Sequence, residues 1–370
     1  MAGSSLGNIF RITTWGESHG RGIGVVVDGC PAGLPLCEAD IQSYLDRRKP
    51  GQSKYTTPRK EADAVEILSG VFEGKTTGTP ISMVVWNTNQ QSRDYSEIAS
   101  YYRPGHADYC MDEKYGFRDY RGGGRTSGRE TIGRVAAGAI AAKLLKEMHI
   151  EITTYTKSIG PVEINMERFD IAAMTKNALY MPDQTAAEEA EYYLVSCLKE
   201  NNSVGGVVEC VVTGLPVGLG DPVFDKLDAN LAKAIVSIGA VKGFEIGDGF
   251  AVAKSTGLNN NDAFYVAENG KIGKRTNHAG GTLGGMSDGT PLVFRAAFKP
   301  TPSIAATQQT VNKNGEEISI HIKGRHDPII VPRAVVVVEA MAAITILDLL
   351  LSNMAARVDR IVDFYDKKME

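Results

Sequence analysis

Residues 334–351 form an apolar run whose only charged side chains are Glu339 and Asp348, and a chain containing such a run must bury it, in a bilayer or in its own core. Each carboxylate would cost about 2.5–3.5 kcal/mol at a bilayer centre, and a lone span near the end of an otherwise globular chain is a poor topology. The segment is therefore expected to be a buried core helix, with no membrane association. At 100° per residue, the nine positions from Glu339 to Asp348 place them about 180° apart around that helix, so they cannot share a solvent face. At least one is buried, where desolvation raises a carboxyl pKa and marks a functional candidate. For Asp348 the alternative is a helix end that turns into water.

The rest of the chain is suited to enclosing such a helix. Of 370 residues, 43% are hydrophobic and 23% charged, far from the composition of disorder. Forty basic residues against 44 acidic ones give a net charge of −4, which provides no global field for a polyanion, so nucleic acid is not an expected partner. Cys30, Cys37, Cys110, Cys197 and Cys210 form an odd set without a C-x-x-C pair, which fits neither a disulfide framework nor a zinc site. No H-x-x-x-H or H-E-x-x-H occurs either, so no metal is expected and the thiols read as reduced in a cytoplasmic protein. The N-terminal sequence MAGSSLGNIFRITTWGESHG has no basic segment followed by a long apolar run, so no secretory signal is expected.

Three local patterns recur in the same order in both halves. V-x-G-x-P-x-G-L starts at Val27 and again at Val212, and G-T-P at Gly78 and Gly289. Gly124-Arg125 and Gly324-Arg325 each precede a further arginine, Arg134 or Arg333, and a long apolar segment. This collinearity predicts a duplicated unit of strand, hairpin and long helix. The expected fold is α+β, with two antiparallel sheets around buried helices and an internal pseudo-twofold repeat. Residues 1–370 then form a single domain whose repeats span about 1–150 and 190–360, and the Gly-Arg loops of both halves meet at one central site.

Functional groups are densest in 103–134, where RPGHADY starts at Arg103 and KYGFRDYRGGGRTSGRE at Lys114. Ser127-x-x-Glu130 has capping-box spacing, which predicts a helix beginning at Ser127. Glycines 122–124 then bring free backbone N–H groups and Arg125 to a helix N-terminus, a setting that favours anions. Five arginines within 118–134 match phosphate and carboxylate geometry; the plainer reading is a capped loop. A second basic cluster, RRKPGQSKYTTPRK at 47–60, follows a short helix from Ala39 that Pro50-Gly51 ends, and it reads either as a solvated loop or as a second anion site. In a chain of net negative charge, both clusters suit a small, multiply anionic ligand better than a polymer.

His19 in GESHG and His106 in RPGH lie in Gly-flanked turns among polar groups and are the candidates for proton transfer near neutral pH. His278 in NHAGG and His326 in GRHDP have similar but weaker contexts. Gly70-Val-Phe-Glu-Gly74-Lys75-Thr76 has three residues between its glycines where a P-loop has four, and it reads as a turn between strands. Five glycines within 279–289 let backbone approach a flat or phosphorylated ligand closely.

GESHG at 16–20, DRRKPG at 46–51, RPGHADY at 103–109, KYGFRDYRGGGRTSGRET at 114–131, NHAGGTLGG at 277–285, KPTPS at 299–303 and GRHDP at 324–328 together resemble the chorismate synthase family over essentially the full chain. The resemblance implies a β-α-β sandwich, a homotetramer and a lyase. The implied reaction converts 5-enolpyruvylshikimate 3-phosphate to chorismate by anti 1,4-elimination, requiring reduced FMN without net redox change. By motif, it implies that His106 protonates the reduced flavin, that His19 protonates the departing phosphate, and that Asp348 assists at the flavin N5. Ser18, Arg48, Arg103, Arg129, Arg134 and Arg333 match substrate-binding positions. Arg125, Thr126, Ser127, Gly239, Ala240, Gly284, Lys299, Pro300, Thr301, Pro302, Ser303 and Arg325 match FMN contacts. Thr126 stands where serine is frequent in the family and Gly239 where asparagine or proline is often found; contacts through backbone would make both departures minor. No long insertion suggests a built-in reductase, so an external flavin reductant is expected, and NADPH alone is not expected to drive the pure protein. The rival readings are a P-loop-like phosphotransferase dependent on ATP and Mg²⁺, and a non-catalytic anion-binding module.

Overall fold

In a computed structural model, which describes residues 3–51, 62–87, 97–268, 270–322 and 327–366, the apolar run forms the helix Val331–Asn353, with every residue from 334 to 349 buried. Pro332 sits in its first turn, where a missing N–H breaks no intrahelical bond. Both of its carboxylates are buried. Glu339 takes a two-pronged ion pair from Arg47, at 3.0 and 2.5 Å, and Asp348 accepts from the backbone N–H groups of Asn8, Ile9 and Phe10 at 2.7–3.0 Å. The sequence alternative of Asp348 turned into water does not occur.

This helix packs along the helix Thr131–Glu147, whose run of alanine and glycine permits close approach. At the crossing, a Cβ on Gly138 would lie 2.3 Å from the Ala340 Cβ and 2.5 Å from its Cα. Gly138→Val is therefore expected to destabilise the fold by about 1–3 kcal/mol or more through overpacking, read as a lower denaturation midpoint. An unchanged midpoint would show that the two helices do not meet there.

Two five-stranded antiparallel sheets flank the helix pair. The first runs in the order Ser5–Leu6, Arg11–Gly16, Gly22–Asp28, Ile81–Trp86, Val65–Ile67, and the second in the order Val162–Glu163, Glu151–Ile159, Gly206–Thr213, Leu292–Phe298, Val241–Ile246. Helix Thr131–Glu147 lies on the first sheet, chiefly on Gly22–Asp28. Helix Val331–Asn353 lies on the second, against Glu151–Ile159 and Gly206–Thr213. The facing strands are Val-, Ile- and Phe-rich, as suits half-buried pleated surface; Leu292, Phe294, Ala296 and Phe298 alternate inward along their strand.

The two V-x-G-x-P-x-G-L motifs form the same local structure. Gly29 and Gly214 have φ of +75° and +83°, and Gly33 and Gly218 have φ of +93° and +88°, values that disfavour any side chain. Thr76 Oγ1 donates to the Pro31 carbonyl (2.6 Å) and accepts from Leu34 N (3.0 Å). Ser287 Oγ does the same with Pro216 (2.5 Å) and Leu219 (2.9 Å).

Elsewhere the helix Glu38–Arg48 ends just before Pro50-Gly51. Segment 70–76 is a hairpin pairing Val71–Phe72 with Lys75–Thr76, which removes the P-loop reading. One expectation fails: the α-helix begins at Thr131, not Ser127, after two 3-10 turns at Gly124–Thr126 and Gly128–Glu130. Ser127 Oγ caps only the second turn, accepting from Arg129 N at 3.3 Å. The Glu130 carboxylate that a capping box requires is bonded instead to Arg134, 2.7 Å away.

Candidate active site

At the start of the helix Thr131–Glu147, side chains from distant parts of the sequence converge on one buried carboxylate. Asp63, with no exposed side-chain surface, accepts from Arg48 Nη2 at 2.9 Å and from Arg129 Nη1 at 3.0 Å. Arg48 also donates to Thr131 Oγ1 at 3.3 Å. The Arg48 carbonyl receives Arg333 Nε (3.0 Å), and Arg333 Nη1 in turn pairs with Asp327 at 2.5 Å. Arg129 Nε donates to Asn87 Oδ1 at 2.7 Å, and Asn87 Nδ2 donates to the carbonyls of Glu17 and Gly20, at 3.0 and 2.9 Å. Ser18 Oγ bonds the Gly122 carbonyl at 3.1 Å. The buried His19 ring lies against Gly122, where a Cβ would come within 2.3 Å of His19 Cδ2. Five expected residues, Ser18, His19, Arg48, Arg129 and Arg333, thus belong to one connected network.

The electrostatics of this network favour an anion. Burial, reinforced by the charges of Arg333 and Arg129 and opposed by Asp63, brings the Arg48 guanidinium down to about 10, so it remains a cation at neutral pH. Its Nε is buried with no hydrogen-bond partner among the described residues, a donor whose desolvation is unrepaid until an acceptor reaches it.

A second group lies one helical turn away. Arg134 donates to Ser237 Oγ (2.6 Å) and to the Ser237 carbonyl (3.2 Å), beside Gly239 and Ala240. Lys299 N bonds the Ala240 carbonyl at 2.9 Å, and Lys299 Nζ bonds the Gly105 carbonyl at 2.7 Å. His106 Nε2 lies 2.8 Å from Ser303 Oγ, while Pro302 packs against Gly105. The 299–303 segment, with Pro300 and Thr301, therefore brackets His106. Thr301 Oγ1 is buried without a partner among the described residues, and a Cβ on Gly239 would enter open space. Unspent donor capacity and open backbone are what a flat, phosphorylated cofactor requires, and these residues fit FMN.

Other expected residues are engaged differently. Arg103 grips Asp108 through Nε and Nη2, both at 2.8 Å; burial opposes the charge of Asp108, but Arg103 and Arg118 hold its carboxyl below the usual range. Arg125 is folded onto the strand Arg11–Gly16, donating to Thr14 Oγ1 at 2.7 Å and to the carbonyls of Thr14 and Gly16, both at 3.2 Å. It ties the 122–127 loop, with Thr126 and Ser127, to the first sheet. Gly284 lies in the turn joined to the start of the helix Leu227–Val236, through Leu227 N and the Gly285 carbonyl. Gly239 follows the far end, so about 15 Å of helix separates the two glycines. Asp348 is not joined to the Arg48–Asp63 network. It stands fifteen positions beyond Arg333, about 22 Å along the helix, and its oxygens are filled by N-terminal backbone. Arg325 lies outside the described residues. Asp63, Asn87, Asp327 and Ser237 were not singled out as site residues in the sequence; the only signal available for Asp63 was its place, with Glu61, just after a basic segment.

Two arginines sharing one buried carboxylate, with a third arginine and a histidine beside them and two antiparallel sheets supporting them, define an enzyme of the mixed α/β class acting on a small polyanion. The family model described as chorismate synthase matches residues 10–351. Chorismate synthases from Agathobacter rectalis and Lachnospira eligens are 76% and 69% identical to this chain over 367 residues, covering 99% of it and all of their own length. A solved structure titled as a chorismate synthase superimposes with a TM-score of 0.75 at 32% identity, covering 98% of this chain and 97% of its own. The chain belongs to the chorismate synthase family.

Proposed function

We propose that this carbon–oxygen lyase converts 5-enolpyruvylshikimate 3-phosphate to chorismate by anti 1,4-elimination of phosphate, requiring reduced FMN without net redox change. The observation that carries the reading is the buried Arg48 Nε, without a partner among the described residues, beside Arg129, Arg333 and His19, a site with donors to spare for a substrate bearing one phosphate and two carboxylates. Arg48, Arg129 and Arg333 hold these anions, with Ser18 and Arg134 at the margins, and Arg103 fixes the loop that presents His106. His19 delivers a proton to the departing phosphate. His106, oriented by Ser303, holds a proton on the flavin side, where Gly239, Ala240 and Lys299–Ser303 form the cofactor's bed. Reduced FMN, when bound there, would supply the electron density that assists phosphate loss and a site for the C6 proton.

In this reading residues 1–370 are one domain, a β-α-β sandwich of two pseudo-repeats. The matched strand orders and the twin Thr76 and Ser287 hydrogen-bond patterns support it. The protein works in the cytoplasm as a homotetramer, with flavin reduced by an external partner.

The test is anaerobic. Substrate with dithionite-reduced FMN is expected to give chorismate absorbance, and oxidised FMN none; phosphoryl transfer dependent on ATP would overturn the reading. The packing of Gly122 against His19, at φ +64°, gives a further prediction. Gly122→Ala should displace the imidazole and lower kcat by roughly 10²-fold, the scale of an ångström's misplacement, while denaturation shows a folded protein. Full activity would detach His19 from the reaction.

A further inference from the structure

We infer that Asp63 is a positioning residue: one carboxylate that sets the spacing of the two substrate-anion guanidinia and, through Arg129 and Asn87, the loop carrying His19. The inference rests on the reaction proposed above. Asp63 is wholly buried, and each of its oxygens is spent on a different arginine, Oδ2 on Arg48 and Oδ1 on Arg129. Two guanidinium ions brought this close repel one another, and a shared anion in fixed geometry both neutralises and spaces them. Its backbone adopts φ +46°, a conformation that aspartate and asparagine tolerate better than most residues, so the side chain is held where neither arginine can drag it. From Arg129 the linkage continues through Asn87 to the carbonyls of Glu17 and Gly20, on either side of His19.

A carboxylate that merely trims the local field and one that positions the arginines predict opposite results for Asp63→Asn. Asparagine keeps the shape and suits the backbone, but it removes a negative charge from an anion site. If the field alone matters, substrate binds more tightly and KM falls. Positioning predicts that KM rises by about 10- to 100-fold, the scale of losing charge-assisted hydrogen bonds. It also predicts that Asp63→Asn adds little to Arg48→Ala in the double variant, because the two act as one unit. Binding of inorganic phosphate, followed by titration calorimetry without turnover, should weaken in parallel. A KM that is unchanged or lower in folded Asp63→Asn would overturn the inference, as would strictly additive effects. Failure of both Asp63→Asn and Asp63→Gly to fold at 25 °C would overturn it too, since Asp63 would then be a stability residue. If wild-type protein binds phosphate but forms no chorismate, the reaction assignment fails while the calorimetry still decides the role of Asp63.

Discussion

His19→Ala is expected to lower kcat by about 10²–10⁴-fold, the range for losing a positioned general acid, with a much smaller change in KM. The imidazole is buried against Gly122, and its loop is pinned on both sides by Asn87. Truncation therefore leaves the loop in place and removes only the proton donor. Chorismate formation under anaerobic conditions reads the rate, and a denaturation curve separates it from misfolding. A kcat within a few-fold of wild type would mean that the departing phosphate is protonated from elsewhere.

Arg48→Ala is expected to act on stability and on binding together. Arg48 is 2% exposed and paired with a carboxylate that is fully buried. Removing one partner of such a pair costs about 3–5 kcal/mol, because the other is left buried and under-compensated. The same change removes the Nε that has no partner among the described residues, and KM should rise by about 10²-fold or more, since hydrogen bonds to charged groups are the strong ones. Arg48→Lys should recover little of either effect: an ammonium cannot serve Asp63, Thr131 and a substrate oxygen with the planar fork these contacts use. Arg48→Ala with wild-type stability and KM would show that the site lies elsewhere.

The contrast between the two long helices shows what could be read from the chain. Residues 334–351 announced themselves because an apolar run with two charges on opposite faces must be buried. The partners of those charges were illegible: Arg47 is 292 positions from Glu339, and the N-terminal amides are 338–340 from Asp348, so no local pattern links them. Asp348 looked functional from its burial alone, and its bonds to the N-terminal backbone could not be foreseen. The start of the helix Thr131–Glu147 was misplaced for a related reason. Ser127 and Glu130 have capping-box spacing, but an arginine one turn on, Arg134, competes more strongly for the glutamate than a backbone amide does. The repeated V-x-G-x-P-x-G-L motifs were legible because glycines at positive φ and a hairpin hydroxyl act locally. In the site, the histidines and arginines were marked by their glycine-rich settings and by family motifs. Asp63 and Asn87 carried no such mark, for a single acid or amide between structured segments has no periodicity.

Whether the Asp63-centred arginine cluster receives the anionic substrate beside His19 is decided by a crystal structure of the protein with 5-enolpyruvylshikimate 3-phosphate and FMN. A substrate oxygen within about 3 Å of Arg48 Nε, with Arg129, Arg333 and His19 around the same ring and the flavin between it and the Lys299–Ser303 segment, is the predicted result. Substrate density away from Arg48, with its Nε still unpaired, would contradict the account.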